Sequence, residues 1–297
     1  MKKILLTALV ASSLVMAVDE EQIRQEMSDV KAQIKALNDN LKELHAQLPK
    51  EVVKKEEKEN PFVTHTELGY ISTSGNTNTT TFNLDAEVKK NWRKHSLELS
   101  LLMQYGTEDD VENKNKLLTE LMYGYDYTKR LTFDYLVGYK EDKFSGFEYQ
   151  FYTGPGAKYK AIKSEKHNLS LEGNVLYAVD VIQDTYHDGL GNPVVYPYPA
   201  GSVSNNDGET RTYASYRAKI VYAWQIFDNL KFNETLSYRS EFADADNYFA
   251  YSKTTLSSKL SDIFSAGIGY QIDYTNQPAV GKTSTDKTFT FNLIVDY

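Results

Sequence analysis

Thr81–Trp92 (TFNLDAEVKKNW) and Ser96–Tyr105 (SLELSLLMQY) decide the architecture. In the first stretch Phe82, Leu84, Ala86, Val88 and Trp92 alternate with Thr81, Asn83, Asp85, Glu87 and Lys89. In the second, Leu97, Leu99, Leu101, Met103 and Tyr105 alternate with Ser96, Glu98, Ser100 and Gln104. A side-chain period of two builds a strand with one apolar and one polar face. The short connection Asn91–His95 joins the two as a hairpin.

The same period extends on both sides. It gives Thr64–Ser72 before the hairpin, then Leu117–Tyr127, Leu131–Tyr139, Tyr149–Ala161, Leu169–Val181, Thr212–Trp224, Leu230–Phe242, Ala250–Leu260, Phe264–Tyr274 and Phe289–Tyr297 after it, twelve strands in all. Connections alternate in length. Short ones fall at Asn91–His95, Thr128–Arg130, Lys163–Lys166, Phe227–Asn229 and Ser261–Ile263; longer ones at Thr73–Thr79, Gly106–Asn113, Lys140–Phe147, Ile182–Thr210, Ala243–Asn247 and Thr275–Asp286. Short periplasmic turns and longer external loops mark outer-membrane barrels. The expectation is therefore an all-β fold, a transmembrane antiparallel up-and-down β-barrel of about twelve strands in a bacterial outer membrane, with both barrel termini in the periplasm. A soluble β-sandwich also alternates, but it needs its apolar faces to meet in one core and its edges guarded. In lipid an open sheet would leave backbone donors unpaired, so closure follows from the location.

Aromatic residues fit two girdles, with Trp92, Tyr127, Trp224, Phe264 and Tyr297 at the turn ends and Tyr70, Phe82, Tyr105, Tyr139 and Tyr149 nearer the loop ends. The composition agrees, with 23 tyrosines against two tryptophans and seven prolines. The last nine residues place Phe289, Phe291, Leu293, Val295 and Tyr297 at every second position and end on an aromatic. This resembles the signal read by the barrel assembly machinery, an expected partner beside outer-membrane lipid.

The amino-terminal quarter reads differently. Residues 1–17 have a basic start (Lys2, Lys3), an apolar stretch Ile4–Val15 and small or apolar residues at Val15 and Ala17, the pattern of a cleavable secretory signal. Residues 18–48 carry Ile23, Met27, Val30, Ile34, Leu37, Leu41, Leu44 and Leu48 at gaps of 4, 3, 4, 3, 4, 3 and 4, a heptad seam predicting a periplasmic coiled-coil helix and a homo-oligomer. An amphipathic helix folded back on the barrel is the alternative, though a two-in-seven stripe is narrower than such a helix needs. Pro49 ends the helix, and residues 49–61, with the run Lys50–Glu59 (KEVVKKEEKE), form a charged linker before the barrel of residues 62–297.

The absence of cysteine excludes a lipoprotein and a disulfide framework. Removing Lys2 and Lys3 with the signal leaves 31 basic against 41 acidic residues, a net charge of −10 that argues against nucleic acid. Beyond the signal the longest apolar runs are five residues (Val175–Val179 and Ile220–Trp224), far below the roughly 20 of a spanning helix.

Three stretches taken in order, Glu67–Thr80 (ELGYISTSGNTNTT), Asp142–Gly146 (DKFSG) and Gly154–Tyr159 (GPGAKY), resemble the salt-induced outer-membrane proteins, the domain of unknown function 481. The resemblance spans Thr64–Tyr297 and leaves the heptad segment outside. It implies fold and location, and a salt response by name, without catalytic residues. The glycines have their own reading: Ser74, Gly75 and Asn76 suit a tight turn needing positive φ, and Gly146 suits the bend of a short external loop.

Catalytic and metal chemistry finds little footing. His45 lies on the coil, His65, His95 and His167 start strands at the turn end, and His187 stands alone in the long loop, so no base sits at the outer rim beside a nucleophile. Asp244, Asp246 and Asn247 cluster oxygen atoms without the spacing of a calcium hand. The chain is expected not to be an enzyme and to hold no cofactor.

The polar face carries the function. Asp85, Glu87, Glu98, Glu120, Asp126, Asp134, Glu172 and Asp180 point inward, as do Lys158, Lys160, Arg211, Arg217, Lys219, Lys231 and Arg239. Cations gather on the sixth, eighth and ninth strands and anions on the second to fifth and seventh, which sets a field across the lumen. Two outcomes stay open: a narrow passage for small polar or charged solutes, or a lumen closed by these groups pairing. A structural or stress-related envelope protein, assembled through the heptads, is the alternative function. The long loop either folds inward as a constriction or covers the mouth.

Overall fold

The structure, a computed structural model, describes residues 35, 36, 39, 62–73, 78–278 and 282–297. Lys35, Ala36 and Asp39 are helical and exposed. The signal, the rest of the heptad segment, the linker up to residue 61 and the turn residues Ser74, Gly75 and Asn76 lie outside the described residues.

Residues 60–297 form one unit. Its strands are β1 (Val63–Thr73), β2 (Thr79–Trp92), β3 (His95–Glu108), β4 (Val111–Asp126), β5 (Leu131–Asp142), β6 (Phe147–Lys163), β7 (His167–Ile182), β8 (Tyr186–His187), β9 (Pro193–Val194), β10 (Val203–Ser204), β11 (Thr210–Phe227), β12 (Leu230–Glu241), β13 (Tyr248–Lys259), β14 (Phe264–Thr275) and β15 (Thr285–Asp296). Twelve of them close a barrel in the order β1-β15-β14-β13-β12-β11-β7-β6-β5-β4-β3-β2, while β10-β8-β9 make a small sheet of their own. All neighbours are antiparallel, so every strand predicted from alternation is present and each pairs with its successor among the barrel strands.

Closure is made by the chain's own ends. β1 meets β15 from His65↔Asp296 to Gly69↔Asn292, and Thr64 and Tyr297 exchange backbone hydrogen bonds of 2.6 and 3.0 Å beyond that register. Among the described residues the barrel sheet therefore has no free strand edge.

Parity decides the two faces. On β15 Phe289, Phe291 and Leu293 are exposed outward, Phe291 at 59 %, while Thr288, Asn292 and Ile294 are buried inward. At the turn end Trp92 stacks on His95 and Trp224 on His167, both at 5.8 Å between ring centroids. At the loop end Tyr139 stacks on Tyr149 at 5.8 Å and Tyr248 on Tyr274 at 5.7 Å. Aromatic rings thus gather at both rims of an apolar outer surface.

One connection differs from its prediction. Gly106–Asn113 is not a long loop: β3 runs to Glu108, β4 starts at Val111, and Asp109 and Asp110 alone turn the chain. Both aspartates have positive φ, 46° and 63°, the geometry of a two-residue hairpin whose twist matches its strands. The hydrophobic alternation stops at Tyr105 because beyond it both faces are polar, so the strands continue without the pattern that reveals them. Gly146 does take positive φ, at 83°, as a loop bend requires.

The long connection between β7 and β11 folds on itself. Asp207 accepts from the backbone N–H and hydroxyl of Thr185 at 2.6 and 2.5 Å, and Tyr186 stacks on Tyr198 at 3.9 Å. Tyr196 reaches outward from it, meeting Phe144 edge-on at 5.2 Å and donating to Glu112 at 3.1 Å. The loop is pinned over neighbouring strand tips, and none of its residues lines the interior cavity described below.

Candidate functional site

The lumen is filled on one side. Met122, Leu136, Tyr152, Leu176, Ala178 and Tyr213, inward residues of β4, β5, β6, β7 and β11, form a buried apolar cluster, with Leu136 at 0 % exposure and Leu176 at 1 %. Two glycines make this possible. A Cβ on Gly138 would stand 2.2 Å from the Tyr152 ring, and one on Gly154 would stand 2.0 Å from the Val175 carbonyl oxygen. Glycine therefore lets Tyr152 lie flat across β5 and lets β6 and β7 close on each other.

Charges beside this cluster are bound to one another. Arg217 Nη1 donates to Glu120 at 2.6 Å, its Nη2 donates to Glu172, and its Nε donates to Asn174 at 3.2 Å. Tyr152 donates to the same Glu120 at 2.6 Å, and Asn174 donates to Asp134 at 2.7 Å. Lys158 sits 3.5 Å from Glu172 and 3.9 Å from Glu98, which also accepts from Lys89 at 2.8 Å. Buried ions persist only when paired and hydrogen-bonded, and these largely are.

Three further lysines make links across the lumen. Lys116 on β4 donates to Asp273 on β14 at 2.7 Å. Lys253 on β13 donates to Glu67 on β1 at 2.9 Å and to Asp85 on β2 at 2.6 Å. Lys114 on β4 donates to Thr288 on β15.

A cavity of about 520 Å³ remains between these links and the opposite wall. Asn233, Thr235 and Ser237 of β12 line it, together with Lys219, Lys231 and Glu87. Among the described residues no opposite charge lies within ion-pair distance of Lys219, Lys231 or Glu87, so the cavity faces charge that is available to solvent or solute.

The expected lining residues divide accordingly. Glu120, Arg217, Lys219, Lys231 and Arg239 line the cavity; Glu98, Asp134, Lys158 and Glu172 lie in the bonded network beside it. Lys160 is half-buried at the turn end, where its N–H donates to the Arg130 carbonyl, and Arg211 is exposed at the loop end, 3.4 Å from Glu209. Glu67, Lys116, Lys140, Lys253 and Asp273 also belong to the lumen, and the sequence reading did not name them. Their parity was available: Lys116 keeps the phase of Glu120, and Lys140 that of Asp134. Lys116 and Lys140 lie one residue beyond the predicted ends Leu117 and Tyr139, whereas Glu67, Lys253 and Asp273 lie within predicted strands.

Among the described residues the loop end and the turn end hold no comparable cluster. Asp244 caps its own hairpin by accepting from the Asp246 N–H at 3.0 Å. At the turn end His65 bridges Glu67 at 3.1 Å and Asp296 at 2.6 Å. In the long loop the Asn192 side chain donates to Asp188 and the Thr185 hydroxyl to Asp207, and these bonds hold both carboxyls below their ordinary range.

Known proteins resemble this chain at two levels. In sequence it is 22% identical over 240 residues, 78% of this chain and 82% of the relative, to the "Uncharacterized protein YdiY" of Escherichia coli (strain K12). In structure it is similar to the NanC porin, with a TM-score of 0.44 and 13% identity over 78% of this chain and 98% of that one. It is also similar to the COG4313 outer membrane channel from Pseudomonas putida F1, with a TM-score of 0.43 and 10% identity over 82% and 100%. The family model described as "Protein of unknown function, DUF481" matches residues 66–297, nearly the whole barrel, and the chain belongs to that family.

Proposed function

We propose that this chain is an outer-membrane protein whose barrel encloses a narrow passive passage for small polar or charged solutes. The observation that carries the reading is the cavity of about 520 Å³, lined by side chains of both signs that include Lys219, Lys231 and Glu87, which make no ion pair among the described residues. A lumen meant only to be filled would place apolar or mutually paired groups there, as β4–β7 do. Supporting it, the outward face is apolar and exposed with aromatic rims, which suits hydrocarbon flanked by headgroups. Ring-like closure satisfies every strand's backbone, as lipid demands.

On this reading the short turns and both ends of the barrel face the periplasm, and Phe289, Phe291, Leu293, Val295 and Tyr297 form the segment that the barrel assembly machinery recognises. The residues named from sequence, Glu98, Glu120, Asp134, Lys158, Lys160, Glu172, Arg211, Arg217, Lys219, Lys231 and Arg239, act by setting the field along the passage, without catalysis. The cross-lumen links Lys116–Asp273 and Lys253–Asp85 keep it narrow. Purified protein in planar bilayers tests this: discrete conductance steps are expected, and a silent membrane at high protein load would overturn the passage.

A second reading rests on the heptad spacing from Ile23 to Leu48, which supports self-association through a periplasmic coiled coil. Deleting residues 18–48 should lower the mass of the detergent-solubilised protein, and an unchanged mass would overturn it.

A further inference from the structure

Two arginines stand directly opposite each other on neighbouring strands, Arg217 on β11 and Arg239 on β12, and both point into the lumen. Like charges so placed repel, and each needs compensation. Arg217 has it in full, from Glu120, Glu172 and Asn174.

Arg239 does not. It is 8 % exposed, its Nη1 is buried without a hydrogen-bond partner, and the nearest carboxylate, Asp180, stands 3.9 Å from Nη2. Asp180 is already committed, accepting from Gln150 at 3.0 Å and from Tyr213 at 2.6 Å. What holds the guanidinium is aromatic: the Phe249 ring lies 4.5 Å and the Tyr152 ring 5.0 Å from its carbon. Such stacking orients a guanidinium and leaves its donors unspent.

Lys140 lines the same cavity from β5, and among the described residues no carboxylate lies within ion-pair distance of it. The nearby Asp273 is taken by Lys116 at 2.7 Å and Gln271 at 2.6 Å. Two buried or half-buried cations thus border one cavity while the acids around them are bound elsewhere. Leaving a charge in that state is costly, and an anion arriving between the two would relieve it.

We propose that Arg239 and Lys140 form a binding site for small carboxylates inside the lumen. The inference depends on the passage reading only for how a solute reaches the site. The forked donors of Arg239 match the two oxygens of a carboxylate, and Lys140 adds a point charge.

Isothermal titration of the purified full-length protein in detergent tests the site, with succinate as probe, succinamide as its uncharged analogue and 1,4-diaminobutane as the cation of similar length. Succinate should bind, the other two should not, and Arg239→Gln should weaken succinate by about tenfold, the size of one lost charge-assisted contact. Arg239→Lys should fall between, and Lys259→Gln, which alters an exposed pair with Asp262, should leave affinity unchanged. Heat-resistant migration on a gel identifies variants that keep the barrel; should Arg239→Gln lose it, Lys140→Gln carries the same expectation. Equal affinity for succinamide, unchanged affinity in the folded variants, or no succinate binding to the native protein would each overturn the site. Bilayer recordings separate the two readings: binding without conductance removes the passage alone, and conductance without binding removes the site alone.

Discussion

Across the lumen, the wall from β4 to β11 carries Leu136, Leu176 and Tyr152 packed beside the Arg217–Glu120–Glu172 network, whereas β12 presents Asn233, Thr235 and Ser237 to an open cavity. Both walls come from the same alternating pattern, with outward faces that are mainly apolar, Glu234 of β12 being an outward exception held by Ser252 and Thr254. The difference lies only in which inward residues are large, apolar or mutually charged. Lumen character is therefore set strand by strand on the polar face, while the outward face is held constant by its surroundings. Charge within the Arg217–Glu120–Glu172 network is structural, whereas charge that faces the cavity without an ion pair among the described residues, as at Lys219 and Lys231, is available.

That contrast is open to attack. The largest effect should follow Arg217→Met, which strands Glu120 without its cation and leaves Glu172 only Lys158 at 3.5 Å; a loss of about 3–5 kcal/mol is expected in urea unfolding. A loss below about 1 kcal/mol would mean water reaches this wall as freely as the other. Next, Leu136→Ala should cost about 2–4 kcal/mol, because a side chain at 0 % exposure leaves a void that its neighbours cannot fill. Neutralising Lys219 and Lys231 to glutamine should change stability by no more than about 1 kcal/mol each, since among the described residues neither makes an ion pair within 4 Å. The same pair should instead shift the reversal potential in a salt gradient toward cation preference, and an unmoved potential would remove these lysines from the conduction path.

The smallest effect concerns the long loop, outside both walls. Asp207 is held below the ordinary carboxylate range by the Thr185 hydroxyl, so its contribution is complete above about pH 3.9 and fades as pH falls through its lower folded value. Hydrogen-exchange protection over residues 183–209, corrected for the intrinsic pH dependence of amide exchange, should fall only on acidification, and Asp207→Asn should give the low protection at neutral pH as well.

Sequence and structure agree most where one face has a constant environment. Phe82 to Trp92 and Leu97 to Tyr105 announce their strands because apolar side chains recur without a break on the outward face. Closure was legible for the same reason, together with a short seam between Thr64 and Tyr297. Legibility fails at the edges of that environment. The β3–β4 hairpin extends to Asp109 and Asp110, where both faces are polar, and the pattern gives no hint of strand there. β13 hides Lys253 because its outward Ser252 and Thr254 are polar too, and both donate to Glu234, at 3.0 and 2.5 Å. Pairing across the lumen, such as Lys116 with Asp273, joins residues 157 positions apart, a separation that periodicity cannot see. How fully each charge is compensated was equally hidden, since Arg217 and Arg239 look alike in sequence and differ in the partners that β4 and β7 bring.

Because the chain contains no cysteine, a single introduced thiol reports one position without interference. Cysteines placed along β12 in lipid vesicles, and probed with a charged water-soluble maleimide, test the account most directly. Labelling is predicted at positions 233, 235 and 237 and protection at 232, 236 and 238, a period of two with the polar residues wet. Uniform labelling, or labelling in the opposite phase, would contradict an apolar exterior wrapped around a hydrated lumen.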